Sequence, residues 1–208
     1  MVSINGSRNV ISHMGDREQG RMVEASLLRI ARERNYPYVL QNELPELHAC
    51  VDCRELTAEH REQLHHISNT LQLGWSAEEY FHFIRDSCKV FFDVFEWSEY
   101  IKRVDFSVGT RFHGNLIALL HGVPAVIIAH DSRTLEMCEL MKIPHLSLAE
   151  IERVDVSDVY DWADFAPFCS AYEELYCSYV DFLEENGIAH VLRPSSPVQA
   201  EKSPEDST

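Results

Sequence analysis

The run Pro124-Ala125-Val126-Ile127-Ile128-Ala129-His130 constrains the fold more than any other segment. It shows no alternation of polar and apolar positions, and its centre is β-branched. Such a run is a strand buried on both faces, which belongs in a parallel sheet covered by helices. The flanking text supplies those helices. Strands are expected at Val2–Asn5, Tyr38–Leu40, Lys89–Val94 and Val104–Val108. Helical spacing begins at Asp16, with Met22, Val23, Leu27, Leu28, Ile30 and Ala31 inward and Arg and Glu on the other face. Thr57 opens a second helix, to about Leu73. Ser76 with Glu79 has capping-box spacing and opens a third, carrying Tyr80, Phe81, Phe83 and Ile84. Further helices read from Glu96 to Arg103, His113 to Leu120, Asp131 to Leu140, Ser147 to about Asp164, and Ala171 to Asn186. Asn42–Thr57, with Pro45 and little periodicity, reads as irregular.

Strands alternating with helices predict a three-layer Rossmann-like α/β domain with a mostly parallel sheet. It is expected to span residues 1–192. Residues 193–208 (RPSSPVQAEKSPEDST) are Pro, Ser and charge, and are expected to form a disordered tail. Phe91 and Phe92, with Tyr80, Phe81 and Phe83, read as core rather than as a sugar platform. His65 and His66 read as a solvated helix face.

The formal net charge of −16 excludes the basic face that nucleic acid or an anionic membrane requires. A local group of Arg and His can still bind a small anion in an acidic protein. No apolar run approaches membrane-spanning length. The opening Met1-Val2-Ser3-Ile4-Asn5-Gly6 lacks a basic segment followed by an apolar core, so it does not read as a signal peptide. The six cysteines are therefore expected as reduced thiols in a cytoplasmic protein. Cys50-x-x-Cys53 is the one close pair; with no second such pair, it reads as ordinary thiols rather than a metal or redox site.

The chemistry concentrates after the strand ending at Val108. There the chain reads Gly109-Thr110-Arg111-Phe112-His113-Gly114 and enters a helix. Ligands of open parallel sheets sit beyond the carboxyl ends of the strands. Gly109 allows a sharp turn, and Gly114 allows close approach to the first helical turn. The helix start offers free N–H groups and a positive dipole end. Arg111 adds a planar fork for carboxylate or phosphate, and His113 a proton carrier near neutral pH. Against this stands a plainer reading: such junctions recur in α/β proteins, and an Arg there can simply pair with an acidic neighbour. Asn115, in the first helical turn, faces a ligand or satisfies a backbone group. His130 and Arg133 follow the next strand and so share the ligand-facing edge, with Asp131 an N-cap between them. Gln41 and Glu43, after the second strand, read as loop.

The stretch Asp105–Pro144 resembles the C-terminal part of the polysaccharide pyruvyl transferase family. It shows Gly109, Arg111-Phe112-His113, a small and apolar helix, Gly122-Val123-Pro124, the buried strand, and Lys142-Ile143-Pro144 in the family's order. Ser3-Ile4-Asn5-Gly6-Ser7-Arg8 is similar to the first strand of that domain. The resemblance implies one half of a glycosyltransferase-B fold, completed by a separate N-terminal half or a homo-oligomer. It implies a transferase that moves a pyruvyl group from phosphoenolpyruvate to a saccharide or lipid-linked glycan, forming a ketal in exopolysaccharide or cell-surface glycan biosynthesis. No metal or organic cofactor is needed. His113 and Arg111 would be catalytic, with Arg8, Gly109, Thr110, Gly114, Asn115, His130 and Arg133 binding substrate. Two alternatives stay open: a nucleotide-sugar glycosyltransferase of the same architecture, for which Glu136 and Glu139 are available acids, and a non-catalytic ligand-binding relative.

Overall fold

A computed structural model describes residues 1–7, 17–51, 55–151 and 153–192. Arg8, Asp16, Cys53 and the segment 193–208 lie outside the described residues, and so do the expectations attached to them.

Six strands form one wholly parallel sheet: β1 (Val2–Ile4), β2 (Tyr38–Leu40), β3 (Cys88–Val90), β4 (Phe106–Gly109), β5 (Ala125–Ala129) and β6 (His145–Ser147). Their spatial order is β3-β2-β1-β4-β5-β6. Helices fill the connections: α1 (Arg17–Arg34), α2 (Leu44–Val51), α3 (Ala58–Thr70), α4 (Ala77–Ser87), α5 (Val94–Ile101), α6 (Phe112–Leu120), α7 (Ser132–Met141), α8 (Val156–Trp162) and α9 (Ala166–Glu185). This is a Rossmann-like α/β fold. The order reverses between β1 and β4, so that crevice is the topological switch point.

β5 shows why the sheet needs two covers. Val126 and Ile128 join the large core with Val23, Leu27 and Phe83. Ala125 packs with Ile101 and Ala118, and Ile127 with Phe112 and Cys138. Successive residues of one strand thus bury themselves in opposite layers. β1 and β4 depart from this on one face. Ser3 lies opposite Ser107 in register, and both are fully buried with Asn5 and Asn115. A polar seam therefore runs through the interior at the switch point.

The helix ends follow their capping residues. Thr57 caps α3, Asp131 caps α7, and Ser76 with Glu79 closes both hydrogen bonds of a capping box on α4. Such caps satisfy N–H groups that the first turn leaves free, each worth about 1 kcal/mol.

Several expectations are corrected. Residues 44–51 form α2 instead of irregular chain: Pro45 sits in the first turn, where a missing N–H costs nothing. The strand expected at Lys89–Val94 stops at Val90, because Asp93 accepts from the amides of Phe95 (2.6 Å) and Glu96 (3.3 Å) and starts α5. Phe92 is consequently 82% exposed and is not core. The helix expected from Ser147 to Asp164 breaks into a 3-10 turn at Leu148–Glu150 and α8, which Asp155 caps. The short edge strand β6 precedes that turn, after a left-handed Lys142 ends α7. On α1, Glu24 lies on the buried face, not among the outward charges.

The correction at β3 is testable by urea denaturation. Phe92→Ser is expected to change stability by less than about 0.5 kcal/mol. Phe83→Ala, at a buried ring, is expected to cost about 3–5 kcal/mol.

Candidate active site

At the switch point, the exits of β1 and β4 are tied to each other. The Asn5 amide donates to Val108 O (2.9 Å), and the Arg111 amide donates to Asn5 O (2.9 Å). Between these bonds, Gly109 has φ +154°, and a Cβ there would stand 2.0 Å from Asn5 O. Only glycine lets the two exits come this close. The Asn5 side chain continues the link inward. Its Nδ2 donates to Ser107 Oγ (2.9 Å), and Ser107 Oγ donates to Asn115 Oδ1 (2.8 Å). Asn115 Nδ2 then donates to the carbonyls of Arg111 (2.8 Å) and Gly109 (3.1 Å). Asn115 thus braces the junction from within α6, buried and away from any open surface.

Gly114 has a comparable reason. A Cβ there would stand 2.3 Å from Asn5 Oδ1 and 2.8 Å from Gln41 Nε2. The β1 and β2 exits therefore press onto the first turn of α6. Buried Asn5 Oδ1, Gln41 Nε2 and Thr110 Oγ1 have no hydrogen-bond partner among the described residues. They come from the exits of three neighbouring strands.

Arg111 is the N-cap residue of α6, but its side chain does not cap the helix. It reaches across to the β2 exit. Nη2 donates to Glu43 Oε1 (2.6 Å) and to Asn42 Oδ1. Glu43 is 2% exposed and Arg111 22%. Glu43 Oε2 in turn accepts from the amides of Gln41 (3.0 Å) and Asn42 (3.1 Å). Burial works to raise the Glu43 pKa, but these amides and the guanidinium outweigh it and hold the carboxyl below its usual value. Arg111 is therefore a strut between the β4 and β2 exits, with part of its fork already engaged.

His113, on the first turn of α6, is exposed, and so is Arg133 on α7. His130 is half-buried, with Nε2 3.8 Å from Asp131 Oδ2. Burial lowers its pKa below the usual imidazole value; Asp131 and a hydrogen bond to the Ile128 backbone oppose this, while Arg111 and Arg133 add to it. His130 is thus a neutral imidazole near pH 7, within the field of both arginines. Asp131 accepts from the Thr134 amide (2.7 Å), the N-cap role expected for it. Thr110 is 1% exposed and turned into the protein. Among the described residues, no group of three or more His, Cys, Asp or Glu side chains is placed to hold a metal ion. Nor is any helix among them long and apolar enough to cross a membrane.

The sequence reading missed Asn5, Asn42 and Glu24 and set aside Gln41 and Glu43. Signals existed. Asn5-Gly6 is a turn signal directly after a strand. Gln41-Asn42-Glu43 follows another strand at the same edge. Glu24 stands one residue after Val23 and three before Leu27, on the stripe that must face the core.

Fold and site together define an α/β protein with Rossmann strand order and a polar, glycine-gated junction at the switch point. The model of the polysaccharide pyruvyl transferase family matches residues 17–132, more than half of the chain, and the chain belongs to that family. No curated protein and no solved structure matches it.

The Arg111–Glu43 pair makes a pH prediction. Glu43 has a depressed folded pKa, so its contribution is full above the ordinary carboxylate pKa of about 4.5 and is lost as pH falls through the folded value. Glu43→Gln is expected to weaken the protein at pH 7, because Arg111 loses its charged partner. The loss should be about 3 kcal/mol, at the lower end for breaking a buried pair. The difference from wild type should shrink as pH drops below about 4.5 in acid unfolding curves. A difference unchanged down to pH 3 contradicts the pairing.

Proposed function

We propose that the chain transfers a pyruvyl group from phosphoenolpyruvate to a saccharide hydroxyl pair, forming a cyclic ketal, at the carboxyl edge between β1 and β4. The observation that carries this reading is the first turn of α6, with exposed His113 two residues after the half-buried Arg111, at the switch point of a family member's sheet.

The donor is a small, highly charged anion. The first turn of α6 offers N–H groups that lack intrahelical partners, together with the positive end of the helix dipole. Arg111 gives that end a fixed positive charge. Its tie to Glu43 and Asn42 holds the fork in one orientation, which lowers the ordering cost of binding. Arg133 and the helix start then carry most of the direct contact with the anion, and Arg111 the field around it.

Ketal formation needs a proton delivered to the methylene carbon of the enol phosphate. The carbon that carries the phosphate becomes cationic, and a sugar hydroxyl attacks it and gives up its proton. A second hydroxyl then displaces phosphate, which takes that hydroxyl's proton as it leaves. His113 is the proton donor in this reading: it is exposed, on the helix start, and of the residue type suited to transfer near neutral pH. His130, a neutral half-buried imidazole at the β5 exit, suits acceptance of a proton from the attacking hydroxyl. The acceptor is a saccharide of a cell-surface or exported polysaccharide, free or lipid-linked.

The test measures phosphate release and ketal formation with phosphoenolpyruvate and candidate saccharides, alongside calorimetric binding of the donor. His113→Asn is expected to keep donor affinity within a fewfold and to lower turnover by about 10²–10⁴. Arg111→Ala is expected to weaken donor binding and also to lower the melting temperature, because it strands Glu43. If wild type binds no phosphoenolpyruvate, or His113→Asn turns over at the wild-type rate, the assignment is wrong.

A further inference from the structure

Glu24 is a carboxyl in the core side of α1, 1% exposed, and nothing in the transfer reaction above uses it. Both of its oxygens are engaged. Oε2 accepts from the Ser7 amide (2.8 Å), and Oε1 accepts from the Tyr38 hydroxyl. Gly6 lies against this pair: a Cβ there would stand 2.8 Å from either carboxyl oxygen and 2.5 Å from the Tyr38 oxygen. The exit of β1 thus rests on the Glu24 carboxyl. The residue before Gly6 is Asn5, whose backbone and side chain bind the Gly109–Arg111 junction.

On its other side Glu24 borders a cavity of about 10 Å³, shared with Tyr38, Glu43, Glu46, Tyr80 and Cys88. Every element packed here brings a titratable group: Tyr38 from β2, Glu43 from the β2 exit, Glu46 from α2, Tyr80 from α4 and Cys88 from β3. Tyr80 donates to Glu46 (3.1 Å). Three carboxyls therefore meet in one buried region. Among the described residues, Arg111, already paired with Glu43, is a positive charge that acts on Glu24.

We propose that Glu24 is a positioning residue for the carboxyl-edge site: its carboxyl anchors the β1 exit through Ser7 and Tyr38, and whether it carries a proton is felt at the Glu43–Arg111 pair and by an anion bound there. The claim about the bound anion rests on the function proposed above; the anchoring does not. With the carboxyl ionised, both bonds stand as described and a negative charge is added beside Glu43. With a proton on Oε1, the Tyr38 hydroxyl must turn and accept, and that added charge disappears.

Burial raises the Glu24 pKa from 4.5 to about 7; the Tyr38 hydrogen bond works against this and the Glu43 charge adds to it. The folded state therefore holds this proton more tightly than the unfolded chain. Its contribution to stability is full below about pH 4.5 and is lost as pH rises to about 7, opposite in sign to Glu43 and in a different window.

The first measurement is the Ser7 amide resonance of the full chain, labelled with nitrogen-15, from pH 5 to 9. It is expected to titrate with a midpoint near 7 in wild type and to stay flat in Glu24→Gln, which keeps size and hydrogen-bonding reach. Tyr38→Phe, which removes a bond to the ionised form, should move the midpoint upward. Thermal melts should show wild type losing stability between about pH 4.5 and 7, and Glu24→Gln not. A Ser7 amide that does not titrate, or titrates equally in Glu24→Gln, overturns the anchoring.

The second measurement is the affinity for phosphoenolpyruvate of wild type and Glu24→Gln across the same range. The ratio cancels the ligand's own phosphate ionisation near pH 6. It should be level below about pH 6 and should favour Glu24→Gln by at least roughly threefold above pH 8. That is the effect of the Glu24 charge on each unit of ligand charge about 10 Å away through a dielectric constant of about 50. A level ratio throughout, with Ser7 still titrating, overturns the link to the site. No binding by wild type overturns the donor assignment instead, and the amide titration then decides the anchoring alone.

Discussion

The arrangement of the site depends on Asn5. Its amide, its carbonyl and its side-chain nitrogen each bond to the segment from Ser107 to Arg111, and Gly109 removes the Cβ that would keep the two apart. In a sheet of order β3-β2-β1-β4-β5-β6, the connections on either side of β1 and β4 diverge, so a crevice opens at their carboxyl ends. The Asn5 bonds keep the floor of that crevice closed and set where α6 begins. Everything chemical at the edge, from Arg111 to Gly114, takes its position from that start.

Around this junction the interior is polar, which is costly unless the groups are paired. Ser107 and Asn115 meet that requirement by bonding in a chain that ends on backbone carbonyls. The charged groups meet it less completely. Glu24, Glu43 and Glu46 are all buried: burial lets Glu24 keep its proton to near neutral pH, while the Gln41 and Asn42 amides and Arg111 keep Glu43 ionised. Buried polar atoms on Asn5, Gln41 and Thr110 remain without partners among the described residues of the same region. Unsatisfied groups of this kind concentrate where a protein gives up stability for binding or catalysis. Arg111 belongs to this network as a brace and as a charge.

The fold was largely legible in the sequence because its signals are local. The β-branched run at 125–129, the capping box at Ser76 and the cap at Asp131 each act within a few residues. Where the reading failed, a tertiary contact or a competing local one decided. Asp93 preferred to cap a helix over extending β3, and that left Phe92 in solvent. Pro45 looked like a breaker but occupied the one turn that tolerates it. β6 is three half-buried residues at an edge, with no alternation to announce it. The site was legible only in part. Gly109-Thr110-Arg111-Phe112-His113-Gly114 is contiguous and visible. Its supports come from residues separated by 68 and 102 positions, and no periodicity records that Glu43 meets Arg111 or that Asn5 meets Ser107.

The central claim is that the junction of β1, β4 and α6 is where the substrate anion binds. Amide hydrogen exchange with and without phosphoenolpyruvate reads this directly, because a ligand on the first turn of α6 must slow exchange there. The account predicts protection confined to residues 109–116 and to the β1 exit at 5–7, with little change along α9. Protection elsewhere with none at 109–116, or no change at saturating ligand, would contradict it.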